Sequence, residues 1–353
     1  MVARRRALWA PIFPSKNPVT AVRSARYFAQ HASIAVPALV VHALAAMRKT
    51  DLEEIPYDAV DAIRVRYRQI LEDDVTQAAN GVYPWSLLFD WPVRQYARAV
   101  PGVLRDFFTM DKRRVDHEWS LNEPDADAFP KYYRRQYHWQ KGGYLTDRSA
   151  RLYDLGVELL FVGGADVMRR QVIPPMTADY ANHDNPRILD VACGTGHTLG
   201  QIGMALPNAE LHGVDLSPAY VRHAAKNAPS SATLLVNDAR CLPYPDDHFE
   251  VVTSTYLFHE LPDACRTAVI EEMIRVAKPG GLIVIQDSAQ LDDAPELAEF
   301  LHAFGRDMHE PYYESYLNDP LQDRLERAGL AIQSVRSQYL AKTVTARVPE
   351  NVA

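Results

Sequence analysis

A glycine-rich turn follows an apolar run in the second half of this 353-residue chain. The run at 187–192 predicts a β-strand, and the turn after it contains Cys193, Gly194 and Gly196. The two glycines let the backbone turn tightly and approach a ligand without a Cβ clash. Free N–H groups at the start of the helix expected next attract an anion. Because Leu199 stands where the dinucleotide fingerprint needs a third glycine, the turn alone does not identify its ligand.

Carboxylates end the next two predicted strands. The first of these strands ends at Asp215, about 20 residues beyond the glycines, where a carboxylate can accept hydrogen bonds from both hydroxyls of a ribose. Asp238 follows the other strand, and it can accept a hydrogen bond from the exocyclic amine of adenine. Together with the glycine turn, these residues predict a nucleoside site at one edge of a sheet.

Strand-length apolar runs alternate with helix-like segments from residue 185 onward. The predicted strands are 187–192, 210–214, 233–236, 249–255, 282–286, 331–335 and 339–348, and the predicted helices are 199–206, 219–228, 264–277 and 321–328. This alternation predicts a parallel sheet with helices on both faces. The last two strands are joined by too few residues for a crossover, which predicts an antiparallel last strand. The expected fold is therefore α/β, a Rossmann-like seven-stranded sheet with its last strand antiparallel.

The first half of the chain reads as mostly helical. Apolar residues recur with a helical period at 58–72 and 149–172, and at 93–108, where Pro101 is expected to break the helix. The acidic, proline-containing stretch 121–130 predicts a loop. We therefore divide the chain into a mostly helical region at 1–130, a helical cap or lid at 131–184 and a Rossmann-like domain at 185–353.

Four motifs of the second half carry a family resemblance. They are LDVACGTG at 189–196, GVDLS at 213–217, NDARCLPYPDDHFEVV at 237–252 and RVAKPGG at 275–281. In order and spacing they resemble the class I S-adenosylmethionine-dependent methyltransferases, in particular the branch similar to the ubiquinone/menaquinone C-methyltransferases. The resemblance implies S-adenosylmethionine as cofactor and a seven-stranded sheet whose last strand is antiparallel.

The resemblance also implies roles for single residues. Asp190, Gly194 and Gly196 would hold the methionine part of the cofactor, Asp215 the ribose, and Asp238 with Ala239 the adenine. To this cofactor set we add the neighbouring residues Cys193, Leu216, Asn237 and Thr255. A Rossmann domain with a degenerate site and a nicotinamide dehydrogenase remain as alternatives. Tyr137 and Lys141 form a YxxxK pattern, but it precedes the Rossmann unit, where a short-chain dehydrogenase would not have it.

The end of the fourth predicted strand is where an acceptor would face the cofactor. The sulfonium is already a good leaving group, so the enzyme mainly aligns a nucleophile and excludes water. A general base is needed only for an acceptor that stays protonated at neutral pH. His259 and Glu260 follow this strand and are the acid/base candidates. The alternative is that either residue caps the next helix or braces the loop.

Two further groups of residues are weaker candidates. Asp287 ends the fifth predicted strand, and the aromatic and acidic stretch 309–313 would either wall a substrate pocket or lie solvated in a loop. Tyr137, Trp139 and Tyr144 would either cover the cofactor as a lid or pack as ordinary core aromatics.

The absence of several motifs narrows the range of acceptor classes. After the fourth strand there is no Asn/Asp-Pro-Pro-aromatic motif for nucleobase amines and no Pro-Cys of cytosine C5 enzymes. There is also no paired-Glu loop suited to a guanidinium, and the sequence predicts no metal site. A small organic acceptor, apolar or aromatic, is the expectation. The alternative function is a cofactor-binding interaction protein that docks on a membrane or a partner through its helical half.

The charge of the chain is unevenly distributed. The formal net charge of -7 gives no reason to expect a nucleic-acid partner. Residues 1–50 nevertheless hold eight Lys or Arg and no Asp or Glu, and the apolar stretch 31–47 within them is short for a membrane span. These residues predict peripheral contact with an anionic membrane, a mitochondrial transit peptide or an ordinary helical arm.

The cysteines indicate the redox state of the compartment in which the protein is expected. The three cysteines lack metal-site spacing, so a reducing compartment is expected. The predicted location is the cytoplasm, or the mitochondrial matrix if the N-terminus is a transit peptide. Nothing in the sequence specifies an oligomeric state.

Overall fold

The computed structural model of the protein describes residues 17–46, 57–115 and 126–350. One sheet of seven strands has the order β3-β2-β1-β4-β5-β7-β6. Its strands are β1 Arg187–Val191, β2 Glu210–Asp215, β3 Thr233–Val236, β4 Phe249–Thr255, β5 Ala277–Ser288, β6 Ala331–Gln338 and β7 Ala341–Arg347. Strands β1 to β5 pair in parallel, and β7 is antiparallel to both β5 and β6. The predicted fold class is confirmed.

Twelve α-helices are described along the chain. They are α1 Pro18–Ala46, α2 Tyr57–Ala79, α3 Val93–Val115, α4 Asp147–Leu160, α5 Ala165–Arg169, α6 Ile173–Tyr180, α7 His197–Ala205, α8 Pro218–Ala224, α9 Asp263–Val276, α10 Ala298–Asp307, α11 Tyr313–Leu317 and α12 Leu321–Arg327. Among the described helices, none has an apolar stretch long enough to cross a membrane.

The strand order places a switch point between β1 and β4. The chain runs from β1 outward to β2 and β3, and then returns to the other side of β1 as β4. Crossovers therefore leave in opposite directions at this point, and a crevice opens beyond the carboxyl ends of the two strands. Parallel central strands are buried on both faces, which explains why β1, β4 and β5 read as nearly continuous apolar runs.

Several predicted elements differ from the structure in extent or continuity. Pro101 lies inside α3 and does not end it. The helix continues because Tyr96 and Ala99 pack with Leu155 of α4 in one apolar cluster, which compensates the lost backbone hydrogen bond. The single helical run predicted at 149–172 is broken after α4, where Gly163 has a φ of +81° and its N–H binds the carbonyl of Glu158. The fifth strand is longer than predicted at both ends.

The N-terminal helices share one apolar core with the sheet. Within it, Asp74 of α2 accepts hydrogen bonds from the phenols of Tyr27 and Tyr83 and from Arg170, whose guanidinium lies 2.6 Å from the carboxylate. Asp74 and Arg170 are almost completely buried, and opening such a pair on one side costs about 3–5 kcal/mol. Since Tyr27 belongs to this core, deletion of residues 1–50 would remove one of the hydrogen-bond donors to Asp74. The domain boundaries at 130 and 184 stay predictions, and 121–125 of the predicted loop lie outside the described residues.

Candidate active site

The turn after β1 has the backbone conformation that its glycines predict. Gly194 and Gly196 have φ values of +53° and +79°, and α7 begins directly after Gly196. A Cβ on Gly196 would lie 2.9 Å from the backbone of Ala224 in α8, so packing between helices requires this glycine. A Cβ on Gly194 would meet nothing within 4 Å. Gly194 is thus the glycine that leaves open space for a ligand.

Asp215 connects the end of β2 to this turn. One carboxylate oxygen accepts the N–H of Gly194 at 3.0 Å and the other accepts the N–H of Ser217 at 2.8 Å. Burial raises the pKa of Asp215 to about 6 despite these two hydrogen bonds. Each oxygen keeps a lone pair for a further donor, as a ribose diol would require.

Asp190 of β1 has an unsatisfied buried carboxyl group. It is 0 % exposed, and neither oxygen has a hydrogen-bond partner among the described residues. Burial, with the nearby charge of Asp215, raises the pKa of Asp190 to about 8. Because an unpaired buried polar group is costly, these oxygens point to a missing donor. The ammonium of a methionine-like ligand fits that requirement.

A pocket of about 630 Å³ opens beside the turn, and we call it the loop pocket. Of the predicted cofactor residues, Cys193, Gly194, Asp215 and Thr255 line it. The structure does not place the others in its wall: Asp190, Gly196, Leu216, Asn237, Asp238 and Ala239. Asp238 is also paired with Arg240 at 2.6 Å, which lowers the pKa of its carboxyl group. The cofactor-binding roles of all ten residues stay predictions.

Tyrosines from the segment before β1 cover the loop pocket. Tyr133, Tyr144 and Tyr153 line it together with Tyr220 of α8. Ser217 donates a hydrogen bond to the backbone oxygen of Tyr144 at 2.5 Å, which ties this segment to the end of β2. Tyr144 therefore lies where a lid was expected, whereas Tyr137 stacks behind it at 5.5 Å. The side chain of Trp139 lies outside the described residues.

A buried polar cluster joins α4 and α5 to the glycine turn, and sequence reasoning missed it. Asp154 accepts a hydrogen bond from the Thr195 hydroxyl at 2.7 Å, and Arg169 pairs with Asp166 at 2.7 Å. His197 lies 3.5 Å from each of these two aspartates, which outweigh its burial and raise its pKa to about 9. Thr195 lies 41 positions from Asp154, and His197 lies 31 positions from Asp166, so no local pattern reveals these contacts.

A second pocket, of about 590 Å³, adjoins the first, and we call it the apolar pocket. Most of its wall is aliphatic or aromatic: Val157, Phe161, Ala165, Phe300, Leu301, Phe304, Tyr313 and Leu340. Four residues belong to both pockets: Tyr153, Arg169, Tyr256 and Glu260. A ligand in the loop pocket and one in the apolar pocket would therefore meet at these four side chains.

His259 braces the loop after β4 and also lines the apolar pocket, and its acid/base role stays a prediction. Its Nδ1 lies 2.6 Å from Asp287, which also accepts the N–H of Phe258, so this contact braces the loop after β4. The ring also lines the apolar pocket. Burial lowers the pKa of His259, but Asp287 and other acidic neighbours outweigh it and raise the pKa to about 9. The imidazole is thus held in a fixed position with a strong tendency to carry a proton.

Glu260 gathers three further groups at the polar end of the apolar pocket. It accepts a hydrogen bond from Tyr144, and its Oε1 lies 3.6 Å from His138 and 3.8 Å from His259 Nε2. His138 also lies 3.2 Å from Glu310. Glu310 and Tyr313 are buried, so the solvated-loop alternative for 309–313 is wrong for both. Their segment is folded against the turn after β4, which no local pattern could show.

Comparisons with known proteins agree with this geometry. Residues 188–281 match a family model described as a methyltransferase domain. The ubiquinone/menaquinone biosynthesis C-methyltransferase of Desulfotalea psychrophila is 32% identical over 161 residues, which are 45% of this chain and 61% of the relative. The 2-methyl-6-phytyl-1,4-hydroquinone methyltransferase of Synechocystis is 35% identical over 108 residues, 30% and 33% of the two chains. This chain thus spans less than two thirds of the length of either relative.

A solved structure was also matched. It is the N-methyltransferase NodS of Bradyrhizobium japonicum with S-adenosyl-L-homocysteine, 15% identical with a TM-score of 0.38 over 52% of this chain and 86% of that one.

Residues 188–281, with their sheet order and glycine turn, are similar to class I methyltransferase domains that use S-adenosylmethionine. The sequence relatives include ubiquinone/menaquinone methyltransferases, of which this chain covers less than two thirds.

Proposed function

We propose that the protein transfers the methyl group of S-adenosylmethionine to a small organic acceptor with an aromatic, apolar body. The observation that carries this proposal is the contact between the two pockets at Tyr256 and Glu260. A nucleophile in the apolar pocket would then face a methyl group presented from the loop pocket. When bound, the cofactor supplies an electrophilic methyl group on a positively charged sulfur.

The cofactor would lie along the carboxyl edge of the sheet. Gly194 leaves room for its backbone to approach the ligand, and the unsatisfied oxygens of Asp190 accept from the methionine ammonium. Asp215 accepts from the ribose hydroxyls at the end of β2. Asp238 and Ala239, which follow β3, would contact the adenine. Arg169 is the cation that both pockets share.

The lining of the apolar pocket favours a hydroxylated aromatic ring. Phe161 stacks between Tyr256 and Phe304, with ring centroids about 6 Å apart on both sides. The remaining wall is mostly aliphatic or aromatic, while His259 and Glu260 form one polar end. An acceptor with an apolar body and a hydroxyl at one edge matches this division. The printed names of the relatives, which include a hydroquinone methyltransferase, support the same class.

His259 and Glu260 would share the proton chemistry. Since Asp287 favours the protonated imidazole, His259 donates to the acceptor oxygen and stabilises its developing negative charge. Glu260 would accept the hydroxyl proton through Oε2, since Oε1 already accepts from Tyr144. The deprotonated acceptor oxygen would then take the methyl group as the sulfur–methyl bond breaks, and S-adenosylhomocysteine would be the leaving group.

Turnover with defined acceptors tests the proposed function. The full chain is incubated with methyl-labelled S-adenosylmethionine and hydroquinones or phenols of increasing apolar substitution, with their fully O-methylated ethers as controls. We expect label in the hydroxylated compounds, equal amounts of S-adenosylhomocysteine, and none with the ethers. Cofactor binding without transfer to any compound would instead support the interaction-protein alternative.

Peripheral membrane contact is a separate part of the proposal. Residues 1–50 are strongly basic, and α1 exposes Val22, Val36, Leu39 and Val40. Apolar side chains and positive charge are the two requirements for a helix that lies on an anionic surface. Vesicles with anionic lipid should bind the chain at low salt, and Leu39→Ser should weaken this more than the control Val335→Ser on β6. Equal sedimentation of both variants would contradict the contact.

The proposed location is the cytoplasm. All three cysteines are free, as expected in a reducing compartment. Cell fractionation with an antibody to the chain would test this, and recovery from an oxidising compartment would contradict it.

A further inference from the structure

We propose that His138, Glu260 and Glu310 bind one divalent transition-metal cation, of the Zn²⁺ or Mn²⁺ type, at the polar end of the apolar pocket. The three residues come from separate segments: the turn Tyr137–Trp139, the turn after β4, and the loop after α10. Their ligand atoms all lie within 4.8 Å of one another. Cation binding is a property separate from methyl transfer, and it can be measured without turnover.

The spacing of the ligand atoms suits such an ion. His138 Nε2 lies 3.2 Å from Glu310 Oε1 and 3.6 Å from Glu260 Oε1. Bonds of about 2.0–2.2 Å in tetrahedral geometry place neighbouring ligand atoms about 3.3–3.6 Å apart. One imidazole nitrogen with two carboxylate oxygens is a donor set that first-row transition metals accept.

Glu310 gives an independent indication of a missing partner. Its side chain is 0 % exposed, and apart from the 3.2 Å ion-pair contact with His138, neither oxygen has a hydrogen-bond partner among the described residues. It points toward His138, whose own Nδ1 is buried and also lacks a described partner. A buried carboxylate without hydrogen bonds is costly, and a coordinated cation would remove that cost.

The charges around the cluster also favour a cation. Three acidic residues meet here, Glu260, Glu310 and Asp287, against the imidazoles of His138 and His259. Tyr144 contributes one hydroxyl donor and no positive charge. Since His138 and Glu260 both line the apolar pocket, the free coordination positions of the ion would face the acceptor. A hydroxylated acceptor could then bind the ion through its oxygen.

Metal titration of the full chain tests this site. After chelator treatment, the protein is titrated with Co²⁺, followed by its visible absorption, and with Zn²⁺ by calorimetry. We expect one equivalent per chain, and at least tenfold weaker binding in Glu310→Gln and in His138→Gln. His302→Gln is the matched control, because His302 forms an exposed pair with Glu314 at 2.9 Å. Circular dichroism and S-adenosylhomocysteine binding establish that each variant is folded.

The wild-type chain alone can overturn the proposal. If it is folded and binds neither Co²⁺ nor Zn²⁺, or if folded Glu310→Gln titrates like wild type, the cluster is a proton-sharing network and not a metal site. Methyl transfer by a chain that binds no cation would refute the metal site and leave the proposed function intact. Cation binding without methyl transfer to any acceptor would contradict the proposed function and leave the metal site intact.

Discussion

The loop pocket and the apolar pocket adjoin, yet they are built in different ways. The loop pocket is centred on the carboxyl ends of β1, β2 and β4, where consecutive residues form most of its floor. The apolar pocket takes its wall from residue 138 to residue 340, through at least five separate segments. The floor of the loop pocket is formed by local motifs, although tyrosines from other segments cover it, while the wall of the apolar pocket comes from separate segments throughout. The floor of the proposed cofactor half therefore follows from the fold, and the proposed acceptor half depends on side chains.

If this division is correct, substitutions in one pocket should leave binding in the other unchanged. The largest effect is expected for His259→Ala, which removes the donor that Asp287 holds in place. Turnover should fall by about 10²–10⁴-fold, while the affinity for S-adenosylhomocysteine changes little. Steady-state kinetics and calorimetry on the same sample measure both. The exposed variant His302→Gln serves as control, and full turnover by folded His259→Ala would show that the residue is only structural.

Asp215→Ala should instead reduce the affinity for the cofactor. Loss of the ribose hydrogen bonds and of the acceptors for Gly194 and Ser217 should weaken cofactor binding by roughly 2–3 kcal/mol, about 30–150-fold. Calorimetry with S-adenosylhomocysteine measures this. Asp246→Ala is the control, since that side chain is mostly exposed at the surface. Unchanged affinity in a folded Asp215 variant would remove Asp215 from the cofactor site.

The sequence predicted more of the loop pocket than of the apolar pocket, for a physical reason. The seven strands, the turn with Gly194 and the position of Asp215 follow from local patterns, because apolar alternation and glycine conformation act over a few residues. Glu310 and Arg169 could not be found in this way. Glu310 becomes buried through its contact with His138, about 170 positions earlier, and Arg169 reaches the glycine turn through Asp154 and Asp166. Such contacts depend on tertiary packing, which single-sequence patterns do not encode.

Phe304→Ala tests the role of the apolar pocket in acceptor binding. The change opens the aromatic wall next to Phe161 and removes apolar area. The free energy of acceptor binding should weaken by about 1.5–2 kcal/mol. The KM for an apolar acceptor should rise about 10–30-fold, with no change in cofactor affinity. Phe108→Ala, at an exposed ring, is the control. A loss of cofactor affinity equal to the rise in KM would show that the two pockets are not separate.

A smaller effect is expected from pH. Burial raises the pKa of Asp215 to about 6, and only its ionised form accepts from both ribose hydroxyls. Since the carboxyl becomes protonated as pH falls through 6, the affinity for S-adenosylhomocysteine should drop up to about tenfold between pH 7 and pH 5. Calorimetry at several pH values checks this. The profile should flatten in Asp215→Asn, and an unaltered profile in that variant would assign the titration to another group.

The most direct measurement is a crystal structure of the full chain with S-adenosylhomocysteine. We expect the ligand in the loop pocket, its ribose on Asp215 and its ammonium near Asp190. The sulfur should face Tyr256 and Glu260, where the apolar pocket begins. A ligand bound elsewhere, or a sulfur that faces away from Glu260, would contradict the claim that methyl transfer occurs between these two pockets.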